Sequence, residues 1–144
     1  MEGLGSDKVY ILEAAGALHD IVYVPERKDN EEKSADLAEE LLPRLGYSLR
    51  EIEEISRLIL ATKWPTNPKD ILEKIICDSD LDSLGRDDFF ERGELLRQEW
   101  NVGKEKWYTQ EVDFLSKVRY YTDSAQKLRQ PKLEENFERL RELK

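Results

Sequence analysis

The only histidine of the chain, His19, stands directly before Asp20, at the end of an apolar stretch. Imidazole nitrogens and carboxylate oxygens are both ligands that divalent metal ions accept in proteins. A second apolar stretch ends in an acidic run over residues 78–82, with aspartates at Asp78, Asp80 and Asp82. A third ligand for the same ion is expected there. The pattern therefore indicates a metal site built from His19, Asp20 and one aspartate of the second run.

Each of these residues also has a purely structural interpretation. A lone histidine on an apolar helix is commonly a packed residue that satisfies its own hydrogen bonds. Aspartates that follow a helix commonly form turns or cap the next helix. His19 and Asp20 alone do not distinguish a metal site from a structural role. The surrounding segments must be considered as well.

Composition excludes several classes of function. The chain has 144 residues, which fits one ordinary domain, and 23 basic against 32 acidic residues give a formal charge of −9. This charge is the wrong sign for a broad nucleic-acid-binding face, so nucleic acid is not expected as a partner.

The single cysteine, Cys77, excludes an internal disulfide, and its apolar neighbours predict simple packing. No apolar run approaches the roughly 20 residues that cross a bilayer, and 1–5 lacks signal-peptide features, so no membrane partner and a cytoplasmic location are expected.

The elements that must position the aspartates and His19 are predicted to be helices. Apolar residues recur at three- to four-residue spacing along most of the chain, which predicts an all-α fold of about six to seven helices. Helices are expected over 7–19 (capped by Ser6), 31–45, from the capping box Ser48–Glu51 to Trp64, and over 68–77, 87–100, 105–121 and 131–144. Predicted core positions include Val9, Leu12, Ala15, Leu18, Ala35, Ala38, Leu41, Leu42, Leu45, Ile52, Ile55, Ile59, Leu60, Leu133, Phe137 and Leu140.

Four segments, in order and at similar distances, resemble the HD superfamily of metal-dependent phosphohydrolases. They are 14–23, which ends its apolar helix in His19-Asp20; 29–34, an acidic run closed by Ser34; 59–63; and 76–81. Residues 114–136 resemble the C-terminal helices of one predicted HD hydrolase subgroup. The likeness thus covers nearly the whole chain.

The resemblance implies a single HD-like helical bundle over 1–144. The narrow apolar stripe of 131–144, surrounded by charged residues, is expected to dock on the body of the domain or on another subunit, as in a homodimer. It implies His19, Asp20 and Asp80 as ligands of one divalent ion (Mn, Mg, Fe, Zn or Co), with Asp78 in reserve for Asp80. Glu31 or Asp80 would orient the attacking water. Lys63, Arg27 and Lys28 are candidates for contacts to the substrate phosphate, and Asn30 is a further candidate for contact with the substrate. That substrate would be a small phosphorylated molecule or a nucleotide.

Two departures from the family pattern bear on activity. Relatives carry a ligand histidine on a helix before the His-Asp helix, but no histidine precedes His19 here. Relatives commonly carry a histidine after a segment like 61–63, where this chain has Trp64. We therefore expect either a chain that lacks the first family helix or a degraded site. A binding module of the same ancestry and a plain interaction domain are the alternatives to an enzyme.

Overall fold

The computed structural model describes residues 3–144, and its regular elements there are all helical. The α-helices are α1 (Ser6–Leu18), α2 (Asn30–Leu41), α3 (Leu49–Ala61), α4 (Ile71–Asp80), α5 (Phe89–Glu99), α6 (Lys104–Leu115) and α7 (Asp123–Leu143). Short 3₁₀ helices occupy Leu42–Leu45 and Asp82–Gly85. The predicted all-α fold is confirmed. Met1 and Glu2, part of the segment 1–5 for which no signal peptide is expected, lie outside the described residues.

The helices fall into two compact units, one ending at Asp80 and the other spanning Leu81–Lys144. The single domain expected over the whole chain stays a prediction. Among the described residues, no helix combines the length and the apolar composition that crossing a membrane requires.

Helix α3 forms the centre of the first unit and packs against α1, α2 and α4. Its apolar stripe is fully covered at Ile55, Leu58 and Ile59. The predicted capping box is present, because Ser48 Oγ accepts from the Glu51 N–H while the Glu51 carboxylate accepts from the Ser48 N–H. Such a cap satisfies backbone donors that the first helical turn leaves unpaired.

Helix α4 is fixed at its start by charged side chains. Asp70 Oδ1 accepts from the Glu73 N–H at 2.9 Å, and Arg57 of α3 donates to Asp70 Oδ2 at 2.7 Å and to Glu73 Oε1 at 2.6 Å. This arrangement caps α4 and ties it to α3. It also explains why α4 begins at Ile71 and not at the predicted Pro68.

The sole thiol lies on α4. Cys77 is fully buried, and its Sγ–H donates to the Ala61 carbonyl at 3.2 Å. Burial raises the pKa of this thiol to about 12. The predicted packing role of Cys77 is confirmed.

The second unit has its own apolar core, formed by Phe89, Leu115, Val118, Tyr120, Leu133 and Leu140. Fully buried Asn136 of α7 donates through Nδ2 to the Leu84 and Arg86 carbonyls, both at 3.0 Å. Leu133 and Leu140, two of the three stripe residues predicted near the C-terminus, therefore pack within this unit.

Other predicted boundaries are wrong as well. Helix α2 ends at Leu41 and continues as a 3₁₀ turn, because Pro43 has no N–H and Gly46 takes a left-handed φ of 86°. Helix α6 ends at Leu115, well before 121. Helix α7 begins at Asp123 under a Thr122 cap, so Pro131 lies inside it. Gly5, not Ser6, occupies the N-cap position of α1.

Predicted core positions on three elements also need correction. Leu45 is 71% exposed because the 3₁₀ turn changes the direction in which it points. Leu60 is 43% exposed, while the core position on α3 belongs to Leu58. On α1 the buried residues are Ile11 and Ala15, so the stripe predicted through Val9, Leu12 and Leu18 is only half-buried at those three positions.

Candidate metal centre

Three side chains from two helix ends converge in the first unit. His19 is the C-cap of α1, and its Nε2 lies 2.9 Å from Asp80 Oδ1 and 3.3 Å from Asp20 Oδ2. One ligand atom of each residue lies within 4.8 Å of the others. We call these three residues the His19 cluster. Within the described part of the chain it is the one group of three or more potential metal-ligating side chains.

The histidine ring is held in one orientation. Its Nδ1 lies 2.7 Å from the Gly16 carbonyl, one turn back on α1. A carbonyl only accepts, so we assign the hydrogen to Nδ1, which leaves Nε2 facing the two carboxylates. Metal-binding histidines commonly donate their other ring N–H to a carbonyl in this way.

The two carboxylates of the cluster favour a positive charge near them. In the absence of an ion, hydrogen bonds to Asp20 and then to Asp80 raise the pKa of His19 to about 10, against the lowering effect of burial. The same contact lowers the pKa of Asp20. A proton on Nε2 therefore occupies the position from which this nitrogen would bind a cation.

Packing between α1 and α4 brings the cluster together. Helix α1 contacts α4, and a Cβ added at Gly16 would lie 3.9 Å from Ile76 Cδ1. Ile76 and Cys77 are buried on α4, which places Asp80 at the final position of that helix. The sequence predicted a helix to about Cys77 with Asp78, Asp80 and Asp82 at its exit, whereas α4 extends through Asp80.

The other residues predicted for the site lie outside this cluster. Asp78 is buried on α4, and Glu31 is half-buried in the first turn of α2. Lys63 pairs with Glu32 of α2, which raises the pKa of the lysine, and the charges of Glu31 and Asp29 contribute further. The roles of Glu31 and Lys63 stay predictions.

The Asn30 side chain makes backbone hydrogen bonds that the sequence did not predict. Its Oδ1 accepts from the Val24 N–H at 3.0 Å, and its Nδ2 donates to the Val24 carbonyl at 2.9 Å. Ser34 makes a similar pair of bonds to Val22. A buried polar side chain needs such partners, but no local sequence pattern encodes which backbone groups supply them.

Comparison with protein families agrees with this geometry. The model of the HD domain matches residues 1–84, more than half of the chain, and this range includes the whole His19 cluster. The chain belongs to the HD domain family, whose members form a superfamily of metal-dependent hydrolases and bind divalent metal ions. Comparison with curated proteins and with solved structures gives no match. The subgroup expected from the sequence stays a prediction.

The donors present suit a divalent ion. One imidazole nitrogen and two carboxylates make a mixed nitrogen and oxygen set of the kind that Mn, Fe, Co and Zn accept. Three protein ligands leave coordination positions open, which is the arrangement of catalytic rather than structural metal sites. The side chains of Asp20 and Asp80 are 59% and 27% exposed, so solvent reaches the cluster.

Proposed function

We propose that the protein is a metal-dependent phosphohydrolase that acts on a small phosphorylated molecule, such as a nucleotide. The observation that carries the proposal is the convergence of the His19 cluster, with ligand atoms within 4.8 Å of one another. Membership of the HD family supplies the class of chemistry. The acidic chain, with a formal charge of −9, supports a small substrate over a polyanion.

In this proposal His19 holds the ion through Nε2, and Asp20 and Asp80 hold it through carboxylate oxygens. A divalent ion, when bound, lowers the pKa of a water molecule and offsets the charge that develops on a phosphoryl group. The hydrogen bond from His19 Nδ1 to Gly16 keeps the ring in the orientation that this role needs.

We assign the orientation of the attacking water to Glu31 or to Asp80. Glu31 is half-buried, and its charge reaches Lys63, so a carboxylate and an ammonium group lie near each other at the start of α2. Lys63 is the side chain that we assign to contact with the substrate phosphate. Asn30 has both amide atoms engaged with Val24, so its support for the substrate is indirect.

Metal binding and turnover test the proposal together. Protein stripped with a chelator is titrated with Mn²⁺, Co²⁺ and Zn²⁺ by calorimetry and is assayed with p-nitrophenyl phosphate and a panel of nucleotides. We expect saturable binding of at least one ion and ion-dependent phosphate release, both lost in His19→Ala and in Asp20→Asn. Asp36→Asn, at an exposed site on α2, is the matched control and should retain both.

Three outcomes separate the alternatives. Ion binding without turnover of any phosphoester would favour a binding module of HD ancestry. No ion binding by the wild-type protein would reject the metal site. Full turnover in His19→Ala would reject the His19 cluster as the active site.

A further inference from the structure

The backbone that follows Asp20 is held by two buried side chains of α2, Asn30 and Ser34. We propose that these are positioning residues, which fix the segment 22–24 and thereby hold the Asp20 carboxylate in place for the metal ion. The inference rests on the proposed function, because it concerns a ligand of the same ion.

The Ser34 hydroxyl hydrogen-bonds both backbone polar groups of Val22. The Ser34 Oγ accepts from the Val22 N–H at 3.1 Å and donates to the Val22 carbonyl at 3.3 Å. Ser34 has no exposed surface. One hydroxyl thus satisfies the donor and the acceptor of a single residue, in the manner of a β-bridge partner.

Asn30 repeats the arrangement two residues further along. Its amide oxygen accepts from the Val24 N–H at 3.0 Å, and its amide nitrogen donates to the Val24 carbonyl at 2.9 Å. Asn30 is 7% exposed. Since Asn30 and Ser34 are four residues apart, they lie one above the other on the same face of α2.

Asp20 needs further support because its carboxylate contacts His19 Nε2 at 3.3 Å while its backbone lies outside a helix. It lies beyond the last residue of α1, and its side chain is 59% exposed. On its N-terminal side the backbone is fixed by the His19 N–H to Ala15 bond at 2.9 Å. On its C-terminal side the Ile21 N–H donates to the Leu18 carbonyl at 3.1 Å, and the next anchor is Ser34, through Val22.

The energetics favour a positioning role over simple packing. Burying a hydroxyl or an amide costs free energy unless the group is hydrogen-bonded. Ser34 and Asn30 therefore stabilise the fold only while the segment 22–24 is hydrogen-bonded to them. A segment that is already ordered loses little conformational entropy when the ion binds. The affinity for the ion is therefore higher than it would be with a disordered segment. Supporting residues around metal ligands typically contribute 10- to 100-fold in affinity.

The test uses Ser34→Ala and Asn30→Ala in the full chain, with Ser56→Ala as the matched control. Ser56 is a buried serine of α3 at 5% exposure, and its hydroxyl has no hydrogen-bond partner among residues 3–144. We expect Ser34→Ala and Asn30→Ala to bind Mn²⁺ about tenfold more weakly than the wild type, measured where circular dichroism shows every variant folded. Ser56→Ala should bind Mn²⁺ as the wild type does.

A second measurement needs no metal and no variant. Amide hydrogen exchange of the metal-free wild type should show protection of the Val22 and Val24 N–H groups, as their bonds to Ser34 and Asn30 require. Exchange of both amides at the rate of an unstructured peptide would overturn the inference, whatever the metal does.

The remaining outcomes distinguish the two proposals. Wild-type affinity for Mn²⁺ in Ser34→Ala and Asn30→Ala would overturn the positioning role and leave the metal site standing. Equal losses in all three variants, Ser56→Ala included, would overturn it as well, because the effect would then follow from core damage. A wild-type protein that binds no ion would overturn the proposed function and this inference together.

Discussion

The two compact units use the same device in different ways. In the first unit, Ser34 and Asn30 hold the non-helical segment 22–24, and in the second unit Asn136 holds the turn around Leu84. The segment held in the first unit directly follows His19 and Asp20. Among the described residues, the turn held in the second unit belongs to no group of three potential metal-ligating side chains. A buried polar side chain therefore does not mark a function by itself, and what matters is the segment that it holds.

The largest expected effect separates two aspartates at the boundary of the units. Asp80→Asn removes a carboxylate that contacts His19 Nε2 at 2.9 Å, so metal affinity should fall by more than about 100-fold, beyond the usual cost of a supporting partner. Asp82, which accepts from Arg129 Nε at 2.6 Å, should tolerate Asp82→Asn without loss of affinity. Calorimetric titration measures both. Similar losses in the two variants would mean that local acidity, and not the His19 cluster, attracts the ion.

The pH dependence of stability should also differ between the units. The folded-state pKa of His19 is about 10, above its ordinary value of 6.5, so its stabilising contribution is complete below pH 6.5 and is lost as the pH rises towards 10. Metal-free wild-type protein should therefore lose stability between these pH values, and His19→Ala should lose much less. Urea unfolding at pH 6.5 and 9.5 gives the comparison. Asn136→Ala should retain the wild-type pH dependence, and a pH dependence in His19→Ala equal to that of the wild type would contradict the assignment.

In the second unit the expected effect is on stability alone. Asn136→Ala leaves the Leu84 and Arg86 carbonyls without their buried donor, which should lower the free energy of unfolding by about 1–3 kcal/mol. Denaturation in urea measures the change, and Mn²⁺ titration of the folded variant should give the wild-type affinity. A weaker ion affinity in Asn136→Ala would remove the contrast between the units.

The smallest effect concerns the scaffold of the first unit. Ser48→Ala removes the side-chain cap of α3 and should lower the free energy of unfolding by about 1 kcal/mol. Thermal unfolding detects a change of this size. Metal affinity should be unchanged, since Ser48 is exposed and acts only on the start of α3. A loss of affinity would show that the site is sensitive to any destabilisation of this unit.

Local signals account for the elements that the sequence predicted well. The capping box and the apolar spacing of α3 are short-range patterns, and both are present in the structure. The meeting of His19 with Asp80 was predicted from a family resemblance. Spacing alone left Asp78 and Asp80 open, and two residues on one helix point about 200° apart, so only the packing of α4 against α1 decides between them.

Some helix boundaries were predicted wrongly because a second local signal nearby determines where the helix begins. Pro131 predicted a helix start, but the Thr122 cap begins α7 earlier and the proline lies within the helix. The bonds of Ser34 and Asn30 to Val22 and Val24 join residues 12 and 6 positions apart. No local pattern encodes such bonds, because they depend on how the chain returns after Asp20.

The covered thiol of Cys77 has a practical consequence for labelling. Because this is the only cysteine and its pKa is raised to about 12, maleimide reagents should leave the wild-type protein unlabelled while it is folded. A cysteine introduced at an exposed position such as Glu26 would then be the single reactive sulfur. Fluorophores or spin labels can be attached there without first removing the natural cysteine.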